Sequence, residues 1–365
     1  MRGPMCLPIP FSKSGKPAKG SIWNIPRGST PPNVRTAMNT IPTTFKDTPS
    51  YTVVGGMERQ GSTGLSAVIL NRGGPFPRAK FFDDLEKAGF DYVVSVEGNR
   101  RRFDLDGLSS AYPFARFILS AEELSRGEEI NIAARELAGP FFLVLWNDLR
   151  IMRGGAERIM ERCMESSKGL KDPRLCTVPV IQDGRLQTMP TLIAPAAIKG
   201  RVKTIPLMPV REGQSSLYPF EGIGIYDRER FLRLGGFDKS LFSFYWQLMD
   251  FGFRSHLWGE EIVVNTGIKF SYEGTITPED ETTEESFRRF YLKNLAPVFR
   301  GDHADLPLRR FPGFFLGLRL DILSAWEEFS QARSWVKTNR YRFHCDARTV
   351  AELWRDEQGG EAKVS

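Results

Sequence analysis

Four short apolar runs between residues 65 and 148 each close on polar residues: LSAVILN, DYVVSVEGN, ARFILS and PFFLVLWND. Runs of this length, rich in β-branched and aromatic residues and bounded by turn formers, read as buried strands. The segments between them change period. Pro77 to Gly89 sets Phe81, Phe82 and Leu85 on one helical face, and Ser125 to Leu137 repeats Ile130, Ala133, Ala134 and Leu137 at helical spacing. Strand, helix, strand, strand, helix, strand predicts an α/β protein with a mostly parallel mixed sheet. The chain has the bulk for it: 365 residues, 41% hydrophobic, with 27 Phe, suit one large α/β domain with an appendage.

The rest of the chain continues the pattern less cleanly. A helix is expected over Ala156 to Ser166, then short strands around CTVPVI and QTMPTLIAP. YPFEGIGIYDRERFLRLGGFD reads as strand, turn and helix, and SFYWQLMDFGFRSHLWGEEI starts irregularly and becomes helical. Beyond residue 300, Phe315, Leu318, Ile322, Trp326 and Phe329 mark an amphipathic helix, and the last residues read as polar and helical. The expected organisation is a Pro-rich tail over 1–50, an α/β domain over 51–300 and a helical extension over 301–365.

Charge narrows the partners. Residues 1–50 hold nine Pro, seven Lys or Arg and one acid, Asp47, and read as a disordered basic tail. That tail accounts for the whole formal charge of +6, since the remainder carries 43 charges of each sign. A neutral body gives no nucleic-acid footprint. Cys6, Cys163, Cys176 and Cys345 include no Cys-x-x-Cys pair and there are three His, which argues against a structural zinc site or a disulfide framework and suits a reducing cytoplasm. No apolar run approaches the roughly 20 residues that span a bilayer, and Pro4, Pro8 and Pro10 interrupt any signal-like stretch.

Three places can carry chemistry. LVLWNDLRI buries a strand and then releases Asn147 and Asp148 at its carboxyl end, where open α/β sheets bind ligands. A carboxylate there can hold Mg²⁺ or Mn²⁺ against a diphosphate, and capping the next turn is its competing use. Glu97 ends VVSVEGN and can accept from a ribose or base, while Asn71 and Arg72 close the first strand and can line the same crevice. In WQLMDFGFRSHLWG, Asp250 and Arg254 stand four apart, a spacing equally suited to a cleft base or to an ion pair. Trp246, Phe251, Phe253 and Trp258 offer an aromatic wall for a sugar ring or ordinary core packing.

In this order the pieces resemble family 2-like glycosyltransferases, of the nucleotide-diphospho-sugar transferase (GT-A) fold, in their rhamnosyltransferase-like variant. AVILNR looks like the opening strand and donor loop. VVSVEGN looks like the strand that ends in two acids, with Glu97 in the second place. INIAARELAG is similar to the Ala-Arg-Asn helix, and LVLWNDLRI to the metal triplet, with Trp146 in its first place and Asp148 in its last. YDRERFLRLGGFD and DFGFRSHLWG are similar to the segments around the acceptor site. The resemblance covers roughly residues 65 to 275.

It implies inverting transfer of a hexosyl group from a nucleotide-diphospho-sugar to a glycan or lipid-linked acceptor, in cell-surface glycan assembly, with a divalent cation. It assigns Asn71, Arg72, Glu97, Asn147 and Asp148 to the donor, Asp148 also to the metal, and Asp250 to the base. Gly235, Gly236, Phe237, Asp238, Trp246, Gln247 and Arg254 go to the acceptor side. Peripheral contact with the inner face of the membrane stays open. The departures are Trp146 for an acid, Gln247 and Leu248 where the family carries Glu-Asp, and KFSYEGT, with Glu273, in place of a late His. Two alternatives stand beside this: a degenerate GT-A relative that binds a sugar or partner without catalysis, and a nucleotidyltransferase, for which NRGGPFPRAK is a faint phosphate loop.

Overall fold

A computed structural model describes residues 49–56, 63–72, 78–97, 105–151, 155–167, 174–198, 201–272, 284–316 and 322–357. All but the last two residues of the basic tail, residues 73–77 of the NRGGPFPRAK loop, and Glu273 lie outside them.

The first half alternates as the apolar runs predict. In chain order it holds β1 (Tyr51–Gly55), β2 (Leu65–Leu70), α1 (Arg78–Ala88), β3 (Val93–Glu97), α2 (Leu105–Ala111), β4 (Ala115–Ser120), α3 (Arg126–Glu136), β5 (Phe141–Trp146), β6 (Leu149–Ile151) and α4 (Ala156–Ser167). Three of these elements were not foreseen, among them β6, the LRI that follows Asp148. Edge strand β1 alternates poorly in YTVVG, and α2 is a short LDGLSSA turn of helix with little apolar signal. The second half holds β7 (Cys176–Gln182), β8 (Leu192–Ile198), β9 (Arg201–Leu207), β10 (Gly224–Asp227), α5 (Arg228–Leu234), α6 (Phe244–Leu257), β11 (Ile262–Tyr272) and α7 (Glu284–Phe290). A π-helical turn over Tyr291–Leu295 follows, then the ribbon of β12 (Val298–Phe299) and β13 (Ala304–Asp305), and helices α8 (Phe311–Leu316), α9 (Ile322–Asn339) and α10 (Ala347–Glu357).

Nine strands form one mixed sheet in the order β1-β4-β3-β2-β5-β10-β7-β11-β6. β4, β3, β2 and β5 are mutually parallel, and β7 and β11 run the same way, so six strands share one direction. β1, β10 and β6 oppose them. Every residue of β2 and β3 is buried, as expected of parallel strands covered on both faces. Helix α3 packs on β2 and β3, and α4 on β2 and β11. The entry to β2 is pinned by Asp91, whose carboxylate accepts from the Thr63 amide and hydroxyl and the Gly64 amide at 2.6–2.9 Å. Helix α3 begins at a capping box, in which Ser125 and Glu128 each satisfy the other's free amide.

This strand order fixes where a ligand can sit. From β2 the chain moves to one side through β3 and β4, then returns to the other side at β5. The progression therefore reverses between β2 and β5, and the crevice outside their carboxyl ends is the switch point of the sheet.

The C-terminal helices pack against the α/β body. Phe314, Ala325, Phe329, Ala332 and Val336 close a cluster with Tyr291, Leu292, Ala296 and Leu306, and α10 packs on α6 and β8.

Candidate functional site

The residues following β2 and β5 interlock at the switch point. The Arg72 amide donates to Asn147 Oδ1 at 2.9 Å, and Asn147 Nδ2 returns a bond to the Arg72 carbonyl at 3.3 Å. Asn71 Nδ2 reaches sideways to Ser95 Oγ and the Val96 carbonyl, at 3.1 and 2.9 Å. Three strand ends are thus tied by two Asn side chains, which leaves the Arg72 side chain to project into the crevice.

Its guanidinium lies 4.0 Å from the centre of the Trp146 ring, a cation–π distance. It donates to Glu221 and to the Tyr272 hydroxyl, and its Nε lies 3.8 Å from Asp148 Oδ2. Arg72 Nε is buried and makes no hydrogen bond among the described residues. Trp146 Nε1 in turn donates to the Glu221 carbonyl at 3.0 Å, and Arg126 sits 5.4 Å from the same ring.

Glu221 is held in the left-handed region, at φ 50°, between β10 and the segment before it. A non-glycine residue there carries strain of order 1–3 kcal/mol, which persists only where the surroundings over-determine it. Burial pushes its carboxyl pKa up; Arg72 opposes the shift and nearby Asp148 adds to it. Glu129, at the start of α3, is likewise pushed up by burial, against the pull of Arg126, which binds both its oxygens at 2.8 Å. Glu97 is 2% exposed and is clamped by both terminal nitrogens of Arg78, with Ser95 Oγ at 2.8 Å.

The two described carboxylates at this edge, Asp148 and Glu221, both lie against the Arg72 guanidinium. Mg²⁺ is usually held by one or two carboxylates together with waters and substrate phosphates. At this edge Asp148 faces a guanidinium, the first triplet place is the Trp146 indole, and β11 ends at the Tyr272 phenol, just before Glu273, which lies outside the described residues. Burial raises that phenol's pKa, and Glu221 raises it further. No group of three His, Cys, Asp or Glu residues able to hold a metal occurs among the described residues.

The other predicted residues form a second, buried cluster. Asp250 is 0% exposed and uses both oxygens: Arg254 donates to Oδ2 at 2.9 and 3.1 Å, and Lys293 and Asn294 donate to Oδ1 at 2.8 Å. Burial alone would raise its pKa, but Lys293 and Arg254 outweigh that and hold it below the usual carboxylate range. Asp238 accepts from Lys293 at 2.6 Å, Arg289 at 3.2 Å and Ser240, and these cations outweigh its burial and hold its pKa low as well. Arg254 also donates to the Leu234 and Gly236 carbonyls, both at 2.6 Å.

Gly235 caps α5 at φ 97°, a conformation that favours glycine. Phe237 is fully buried, with its backbone gripped by Asn131 at 2.8 and 2.9 Å. Trp246 packs between Phe287 and Phe290. Gln247 binds the Gly127 amide, Ser125 Oγ and the Leu241 carbonyl, so it joins α6 to the start of α3. Gly127 is required there, because a Cβ would lie 2.5 Å from that of Phe237.

The strand-end residues Asn71, Arg72, Glu97, Asn147 and Asp148 therefore gather at one crevice. Gly235, Gly236, Phe237, Asp238, Gln247, Asp250 and Arg254 gather in the packing behind it. Glu221, Tyr272, Arg78, Arg126 and Glu129 complete the crevice, and Lys293, Arg289 and Asn294 complete the buried cluster. Apart from Arg78, which falls in the faint phosphate loop NRGGPFPRAK, sequence reasoning assigned none of these a role. The one available signal was an isolated acid in PFEGIG, directly before a strand.

No family model and no curated protein matches the chain. Among solved structures it is similar to GalNAc-T7 bound to UDP, GalNAc and Mn²⁺, at 12% identity over 81% of this chain and 56% of that one, with a TM-score of 0.45. It is also similar to S. aureus TarS 1–349 in complex with UDP-GlcNAc, at 14% identity over 82% of this chain and 93% of that one, with a TM-score of 0.44. A longer TarS structure aligns at 13% identity with a TM-score of 0.42. The chain spans little more than half the length of GalNAc-T7 and of this longer TarS.

Proposed function

We propose that the protein is a GT-A-type glycosyltransferase that passes a hexosyl group from a nucleotide-diphospho-sugar to a glycan or lipid-linked acceptor, with inversion, in cell-surface glycan assembly. The observation that carries this reading is the switch-point crevice. The residues that the family resemblance assigns to the donor, Asn71, Arg72, Asn147 and Asp148, follow the two strands between which the sheet reverses, and Glu97 ends the next strand over. The order of the family-like segments along the chain supports it too.

In this reading the acceptor oxygen attacks the anomeric carbon, the bond from that carbon to the β-phosphate oxygen breaks, and the electron pair leaves with the nucleoside diphosphate. The hydroxyl proton goes to a carboxylate. Asp250 was expected to take it, but a carboxylate with both oxygens occupied by cations and an amide, and a pKa held low, is a poor base. The same holds for Asp238. In this reading Glu221 takes that role, as the crevice acid that reaches Arg72 and whose carboxyl burial pushes up. Arg72 is the cation nearest the leaving diphosphate. Its remaining N–H donors suit phosphate oxygens in the fork geometry of a guanidinium. The Trp146 ring orients it, and no step is assigned to a metal.

One observation favours a second reading. The acids at the matched acceptor segment are locked into structure, as a non-catalytic sugar-binding relative would allow. A panel of nucleotide-diphospho-sugars, incubated with and without Mn²⁺ and with chelator, separates the cases. Release of nucleoside diphosphate with free or transferred sugar supports the transferase, and pyrophosphate release in a parallel incubation of nucleoside triphosphates with sugar 1-phosphates identifies a nucleotidyltransferase. Binding without turnover supports the non-catalytic reading.

A further inference from the structure

The aromatics that the sequence offers as a wall for a sugar ring do not form one: Trp246, Phe251, Phe253 and Trp258 are all buried in packing. Among the described residues the aromatic side chains that stand in water are others, Phe242 at 68% exposure, Tyr341 at 70% and Trp326 at 47%. Tyr341 and Trp326 belong to the C-terminal extension. Phe242 belongs to the body, in the loop between α5 and α6. That loop meets the crevice on both sides of Phe242. Phe244, two residues on, sets its ring 6.5 Å from Trp146, and the tip of that ring is the atom a Cβ on Gly222, beside Glu221, would meet at 3.0 Å. Leu241, one residue back, gives its carbonyl to Gln247 Nε2, which also reaches Ser125 Oγ, next to the Arg126 that sits against the same indole. Two residues of extended chain reach at most about 7 Å. Phe242 therefore stands at the crevice rim beside Trp146 and the end of β5, whereas Asn71 and Glu97 stand one and two strands over.

The fold holds this ring out rather than leaving it loose. Leu241 is fully buried and anchors the chain before it. Ser243 caps α6 after it, its Oγ accepting from the Trp246 amide at 3.3 Å. Between them the Phe242 amide donates to Ser286 Oγ at 3.1 Å, and Ser286 is 1% exposed. A backbone fixed at three successive residues presents the phenyl ring in one place, which reduces the ordering entropy a ligand must overcome to lie on it.

We propose that Phe242 is the stacking platform for the acceptor, and that the acceptor unit at the point of attack is a hexopyranose. The C–H groups of such a ring carry slight positive charge and lie well on the negative face of a phenyl ring. Calling that sugar the acceptor rests on the transferase reading, while the platform itself does not. Selectivity follows from shape: a ring with its C–H groups gathered on one face stacks, and one that turns a hydroxyl onto that face does not.

The test is saturation-transfer NMR on the full chain with the methyl glycosides of glucose, galactose, mannose and N-acetylglucosamine, each with UDP, GDP, dTDP or ADP present, while calorimetry reads the nucleotides alone. Wild type should saturate the ring C–H protons of at least one glycoside. Phe242→Ala should weaken binding of that glycoside about three- to tenfold, Phe242→Trp should restore it, and Ser286→Ala, which frees the loop, should weaken it less. The melting temperature and nucleotide affinity of Phe242→Ala should match wild type, because the ring is exposed and stands apart from the donor residues. No saturation transfer from wild type to any glycoside would overturn the proposal, and so would equal binding by Phe242→Ala. A sugar contact that Phe242→Ala removes, in a chain that binds none of the nucleotides, would keep the platform and defeat the transferase reading instead.

Discussion

Two clusters of carboxylates and cations lie close together in this molecule, and they use the same residue types to opposite ends. Behind the acceptor-like segment, Asp238 and Asp250 meet Lys293, Arg254 and Arg289 with matched donors, and both carboxyls are driven to low pKa. At the strand-end crevice, Glu221 and Asp148 share Arg72, whose Nε makes no hydrogen bond among the described residues, and burial pushes Glu221 upward. The difference lies in the ratio of donors to acceptors. Where cations surround each acid the pair is a fixed strut, and where acids outnumber the cation a proton or an anionic ligand can change the balance.

The largest expected effect breaks the strut. Asp250→Ala leaves Lys293 and Arg254 buried with less compensation, which should cost about 3–5 kcal/mol. A chemical denaturation series measures it, and a variant as stable as wild type would remove the structural role argued for Asp250. Next comes the crevice acid. Glu221→Gln should lower the transfer rate by about 10²–10⁴-fold, the size of a general-base contribution, while stability holds. Asp250→Asn, if folded, should by contrast keep most of its rate per folded molecule. The reverse outcome in single-turnover assays would return the base to Asp250.

Affinity sharpens the contrast further. Arg72→Ala should weaken nucleoside diphosphate binding by about tenfold, roughly the value of one charge-assisted contact. Glu221→Gln should tighten it, because a like charge next to the phosphates is gone. Calorimetry in chelator with UDP, GDP, dTDP and ADP reads both, and Arg72→Ala binding as wild type does would displace the cation from its role. The smallest effect is on pH. A carboxyl whose folded pKa is raised contributes stability below its unfolded value and loses it as pH rises through the folded one. Glu221→Gln should therefore raise the melting temperature slightly at pH 8, by about 2 °C or less, and not at pH 4. The lowered carboxyls Asp238 and Asp250 should withdraw their support only as pH falls below the usual Asp range.

What was legible in the sequence follows the same divide. β2, β3, β4 and β5 are continuous apolar runs, because they are covered on both faces, and their ends therefore identified the crevice. β11 was not anticipated: Asn265, Thr266 and Gly267 interrupt its apolar run where the ladder with β7 shifts register. Glu221 was invisible as a site because its backbone conformation, and the chain that brings it to Arg72 from 149 residues away, are tertiary facts. Lys293 and Asn294 were invisible for a related reason. In sequence they are polar residues on a helical stretch, and only the fold turns them inward.

The π-helical turn at Tyr291–Leu295 has a practical consequence for anyone who would trim this protein to its α/β part. It delivers Lys293 to both Asp238 and Asp250, and the ammonium is roofed by the Trp335 ring of α9 at 4.6 Å. Cutting at residue 300 would lift that roof and let water reach the buried charges. The shorter product would be an unsealed fragment, and the boundary that composition draws between body and extension is a poor place for a blade.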